Sequence, residues 1–125
     1  MNIPQDLKYM KTHEWVKIEG NKVRVGITDF AQHEITDIVH VELPEVGKEV
    51  KKEQPIVVIE SVKSAFDIYS PAAGKVSAVN EAVLSSPELI NQSPYDKGYL
   101  YELEVAPGTD FGDLLSADEY KQTIG

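Results

Sequence analysis

Residues Trp15 to Ile27, WVKIEGNKVRVGI, hold two alternating runs rich in β-branched residues on either side of Gly20-Asn21. That pair suits a tight two-residue turn, so the segment reads as a β-hairpin. The pattern recurs along the chain and restricts the fold more than any other feature. VHVELP reads as a strand that stops at Pro44, and VGKEV as a turn with a short strand. PIVVIE and FDIYSP read as paired strands, and GKVSAVN and YLYELEV as two more, the last with one solvated face. Only three places change period. TDFAQHEITDI fits a short helix capped by Thr28 or Asp29, and Ser86-Pro87-Glu88 fits a helical turn. Ser116 with Glu119 forms a capping-box pattern that opens a C-terminal helix. Many short strands with small marginal helices predict a mainly β protein, either a sandwich or a flattened barrel. No linker divides residues 1–125, so a single domain is expected.

A weak internal echo accompanies this pattern. Pro44-Glu45-Val46-Gly47-Lys48 and Pro71-Ala72-Ala73-Gly74-Lys75 share Pro-x-x-Gly-Lys. Proline stops a strand and glycine supplies a left-handed turn residue, which suggests two similar β-halves.

Composition removes whole classes of chemistry. The chain has no cysteine, which excludes disulfides, thiolate catalysis and cysteine-type zinc sites. Its net charge of −9 argues against nucleic acid and anionic membranes as partners. The same charge fits protein partners with basic patches, and equally fits simple solubility. Charges or prolines interrupt every apolar stretch before it reaches membrane-spanning length. MNIPQDLKYMKTHEW carries neither a secretory core nor the arginine-rich pattern of a transit peptide.

One lysine stands out by position. Lys63 falls in ESVKSAFDIYSP, in a short polar gap between a strand ending near Glu60 and one starting near Phe66. An exposed lysine titrates near 10.4 and is not nucleophilic at neutral pH. Catalytic lysines need burial or a cationic neighbour, and a hairpin tip offers neither. An ordinary solvated turn lysine is the plainest reading. A fixed, protruding amine also suits covalent attachment, with the chemistry residing in the attached group. A long arm on a stiff base raises the local concentration of its tip at a docked partner.

ESVKSAFDIYSPAAGKV resembles the lipoyl-lysine segment of the glycine cleavage system H-protein family. THEWV, GITDFAQ, HVELPEVGKEV and LINQSPYDKGYLYELE follow in that family's order, so the resemblance spans nearly the whole chain. It implies a lipoyl-type flattened β-barrel of two antiparallel sheets with small helices, one of them C-terminal. It implies lipoate on Lys63 and a carrier that is not itself an enzyme. The implied partners are glycine decarboxylase, aminomethyltransferase, dihydrolipoamide dehydrogenase and a lipoate-attaching enzyme. Between them the arm would carry an aminomethyl group and then be reoxidised. The resemblance also places Glu14, Asp67 and Thr12 at a cleft that receives the loaded arm. A cationic amine leaving water needs a carboxylate there. A monomer is expected, in a bacterial-type cytoplasm or, for a processed eukaryotic form, the mitochondrial matrix.

Other readings are weaker or less complete. Biotin carriers place methionines beside the lysine, where this chain has Val62 and Ser64. The lipoyl domains of 2-oxoacid dehydrogenases lack THEWV. A lipoyl relay that donates lipoate to other carriers keeps Lys63 and changes the client. An unmodified β-domain acting as a scaffold is the reading from another class. His13, His33 and His40 are scattered and show no ligand spacing, so no metal is expected. Two departures from the family pattern are Glu34, where a histidine is common, and Tyr99, where tryptophan is.

Overall fold

The computed structural model describes residues 1–125. Its elements are β1 (Lys8–Tyr9), β2 (Glu14–Glu19), β3 (Lys22–Ile27), α1 (Asp29–Ile35), β4 (Ile38–Glu42), β5 (Glu49–Val50), β6 (Pro55–Ser61), β7 (Ala65–Tyr69), β8 (Gly74–Val79), α2 (Ala82–Ser85), α3 (Glu88–Gln92), β9 (Tyr101–Glu104) and α4 (Ala117–Ile124). Six strands form one antiparallel sheet in the order β1-β2-β3-β9-β8-β5, and β4-β6-β7 form a second. Both sheets are open, so the flattened barrel does not close on itself. A core of 21 buried residues, rich in Val and Ile, joins them. No helix is long and apolar enough to cross a membrane.

Local chemistry explains the elements. β2 and β3 pair from Glu14↔Ile27 to Glu19↔Lys22 around a two-residue turn, with the left-handed φ of +62° on Gly20. The Thr28 hydroxyl caps α1 by accepting from the Ala31 N–H at 3.1 Å. At α4 the capping box is complete in both directions. Pro87 precedes α3 as its cap residue, and the short α2 before it was not expected. β1 was not expected either. Its two residues pair with β2 and turn that strand into an interior one.

The two echo segments pair with each other: Glu49 lies opposite Lys75 and Val50 opposite Gly74. Their glycines do different work, contrary to expectation. Gly47 takes a left-handed φ of +95°. Gly74 does not, but a Cβ there would stand 2.6 Å from the Glu104 carbonyl oxygen. Close backbone approach, not turn geometry, requires the second glycine. β9 departs from expectation too. Glu102 is only 9% exposed, because Arg24 covers it with Nη2 2.8 Å from its carboxylate and stacks over Tyr99 at 4.1 Å.

A second cluster anchors the strand that carries the site. Ile3, Leu7, Tyr9, Trp15, Ala117 and Tyr120 pack where α4 lies on β1 and β2. Tyr9 and Tyr120 stack at 4.8 Å, and the Trp15 indole donates to the Pro94 carbonyl at 2.8 Å. Trp15 lies over Gly26, its partner on β3, where a Cβ would come within 2.6 Å of the indole ring. Both groups are in the core, so neither yields easily. Gly26→Ala is expected to cost about 1–3 kcal/mol by overpacking. Urea unfolding that shows no loss would contradict this packing.

Candidate functional site

The β6–β7 hairpin is closed by a short loop, Val62-Lys63-Ser64, between Ser61 and Ala65. The Ser61 N–H donates to the Ser64 carbonyl at 2.8 Å. The Ser61 hydroxyl oxygen accepts from the N–H groups of Lys63 (3.3 Å) and Ser64 (3.2 Å). Serine thus organises the turn through its side chain, and no residue of the loop needs a left-handed backbone. Lys63 is exposed and takes part in none of the ion pairs. Val62 beside it is 77% exposed. The strands end at Ser61 and resume at Ala65, one residue from the expected limits on each side.

Asp67 lies on β7, four residues beyond Lys63 in the chain. It is exposed and borders a cleft of about 390 Å³. Thr12 borders the same cleft. Glu14 does not. It starts β2 with no exposed surface and lies behind Thr12. Its carboxylate accepts a short hydrogen bond from the Thr12 hydroxyl and a 2.7 Å bond from the Tyr69 N–H. β7 is an edge strand of its sheet, so Glu14 satisfies an edge N–H across the seam between the sheets. Burial pushes its carboxyl up to about 7, although the bonds from Thr12 and Tyr69 pull the other way. The structure therefore brings Thr12 and Asp67 to one cleft and ties Glu14 to both through Thr12 and β7.

Further cleft residues were not singled out from the sequence. Phe30, Ile35 and Phe66 give it an apolar wall, and His13 and Glu34 border it. α1 carries Phe30 and Glu34 to the cleft beside Thr12 and His13, which local spacing cannot reveal. His13, read from the sequence only as one of three scattered histidines, lines the cleft. It is half-buried and adopts a left-handed φ of +77°, uncommon for any residue but glycine. Elsewhere, strand register brings ligand atoms of His40, Glu42 and Glu60 within 4.8 Å of one another on the outer face of β4 and β6. These side chains are solvent-facing, and their convergence assigns no metal role. His13 and His33 lie outside the group.

A mainly β domain of two open sheets that presents one lysine on a short hairpin loop ordered by Ser61 defines the class. Residues 7–125 match the family described as Glycine cleavage H-protein, and the chain belongs to it. The glycine cleavage system H protein of Endomicrobium trichonymphae is 69% identical over 99% of this chain and 100% of its own. That of Halalkalibacterium halodurans is 52% identical over 98% and 96%. The crystal structure of a glycine cleavage system H protein from Mycobacterium marinum superposes with a TM-score of 0.91 at 38% identity, covering 98% of this chain and 99% of that one.

Proposed function

We propose that residues 1–125 form one lipoyl-carrier domain of the glycine cleavage system, with lipoate joined by an amide to the Nζ of Lys63. Family membership supports the pathway, and the geometry of the hairpin carries the assignment of the lysine. The residues present fit a covalently held acyl group. Lys63 is exposed, has no ion-pair partner and sits on a loop fixed by Ser61. When bound, the lipoyl group supplies a dithiolane that accepts an aminomethyl group and is later reoxidised.

The chain's own residues present and shelter. The hairpin holds the amine away from the sheets, where a lipoate-attaching enzyme reaches it. Phe30, Ile35 and Phe66 exclude water from one wall of the cleft. Asp67 offers a carboxylate to an ammonium that leaves water, and the Thr12 hydroxyl connects that space to Glu14. An uncharged group would find no such pairing, so Asp67 and Thr12 would favour an ammonium-bearing group over an uncharged one in this cleft. On this reading the chain is a carrier component of the system and not itself an enzyme, as its family membership supports. The partners are glycine decarboxylase, aminomethyltransferase and dihydrolipoamide dehydrogenase, with the protein acting as a monomer in a bacterial cytoplasm.

Lipoylated protein mixed with glycine decarboxylase is expected to support exchange of labelled bicarbonate into the carboxyl group of glycine. Absence of exchange by fully lipoylated protein would contradict the assignment.

A further inference from the structure

The cleft is linked to the C-terminal helix by a chain of three hydrogen-bonding side chains. The Thr28 hydroxyl lies 2.7 Å from the Tyr120 hydroxyl, which lies 2.8 Å from His13 Nδ1. Thr28 and Tyr120 have no exposed surface. The direction of the chain follows from hydrogen accounting. Thr28 Oγ1 already accepts from the Ala31 N–H as the cap of α1. Its own hydrogen needs an acceptor, and the Tyr120 oxygen is the one within reach. Tyr120 then donates its hydrogen to His13 Nδ1. The reverse direction strands the Thr28 hydrogen in a buried site, which costs about 1–3 kcal/mol. Nδ1 therefore carries no proton, and the neutral ring holds its hydrogen on Nε2.

We propose that His13 is a positioning residue of the cleft, held neutral and in its Nε2–H tautomer by the Thr28–Tyr120 chain, so that the cleft keeps its negative charge for an ammonium cargo. The cargo half of this statement rests on the carrier reading; the tautomer half does not. Glu34 from α1 and Asp67 from β7 line the cleft with His13, the Tyr120 hydroxyl from α4 bonds to it, and Glu14 is next to it in the chain. Phe30 lies against its ring at 5.1 Å and Tyr120 at 5.7 Å. Two carboxylates bordering the cleft would ordinarily draw a proton onto a neighbouring imidazole. Protonation would place a second donor on Nδ1 and force the whole chain to reverse. It would also set a cation among the carboxylates that the cargo needs. Burial acts in the same direction, lowering the affinity of the ring for a proton, while Glu34 opposes it. The left-handed backbone of His13, fixed by Thr28 N–H donating to the His13 carbonyl at 3.0 Å, is retained in a place where it aims the ring at Tyr120.

The first measurement uses unlipoylated protein and needs no variant. Nitrogen-15 shifts of the His13 ring are expected to report the Nε2–H tautomer; the Nδ1–H tautomer, or an equal mixture, overturns the proposal. In Tyr120→Phe, the His13 midpoint is expected to rise by about one pH unit, a tenfold gain in proton affinity. An unchanged midpoint in a folded variant also overturns it. The second measurement follows ammonia release from lipoylated, cargo-loaded protein, with both modifications verified by intact mass. Tyr120→Phe is expected to release ammonia several-fold faster than wild type at pH 6 and at the same rate at pH 8. Equal rates at both values refute the cargo half, and so does an equal acceleration at both, which reports a merely loosened helix. Wild-type protein that accepts no lipoyl group would instead refute the carrier reading and leave the tautomer result standing.

Discussion

Lys63→Arg is expected to abolish carrier activity while leaving the fold unchanged. Arginine keeps the charge and most of the length, but its guanidinium does not form the amide that lysine forms with lipoate. The turn does not depend on the lysine side chain. Ser61 holds the backbone N–H of residue 63, which arginine retains. The side chain is exposed and has no ion-pair partner to lose. The unfolding midpoint should therefore match wild type within about 0.5 kcal/mol, as for surface positions in general. Glycine–bicarbonate exchange with the decarboxylase should fall to background. Exchange retained by the variant would show that this lysine does not carry the group.

The pH dependence of stability should trace to Glu14. In the folded protein its carboxyl titrates near 7, and its ordinary value is 4.5. Between these values the folded state keeps a proton that the unfolded chain has released. The stabilisation is thus fully present below about pH 4.5 and is lost as pH rises through 7. The gap corresponds to about 3 kcal/mol. Glu14 has no exposed surface, so solvent screens little of it. Glu14→Gln keeps the shape and offers an oxygen to the Tyr69 N–H and an amide to Thr12. The variant should match wild type near pH 4 and exceed it by up to about 3 kcal/mol at pH 8. Urea unfolding at several pH values reads this directly. A constant difference across pH would mean that Glu14 does not titrate with folding.

A buried carboxylate of this kind also shows where sequence patterns stop being informative. The β2–β3 hairpin was legible because apolar residues recur every second position around a short polar turn, and the β6–β7 hairpin because an apolar run and an alternating run flank a short gap. The C-terminal helix was legible from Ser116 and Glu119, whose bonds span three residues. The depth of Glu14 was not. β2 buries Glu14, Trp15 and Val16 in succession, since β1 and β3 flank it and α4 covers its second face. A charged residue at the start of a strand otherwise reads as solvated. Glu102 misleads for the same reason, because only the fold brings Arg24 over it. Lys63, Thr12 and Asp67 could be named from motifs. His13, Glu34 and Tyr120 come together only through the packing of α1 and α4, across separations that no local pattern encodes.

The central claim is that this chain exists to present one modified lysine. The intact mass of the protein purified from its own cells, followed by fragmentation of the peptide that spans Glu60 to Lys75, tests it most directly. The account predicts a single lipoyl increment, located on Lys63. A protein that stays unmodified in cells actively consuming glycine, or one that carries the group on another lysine, would contradict it.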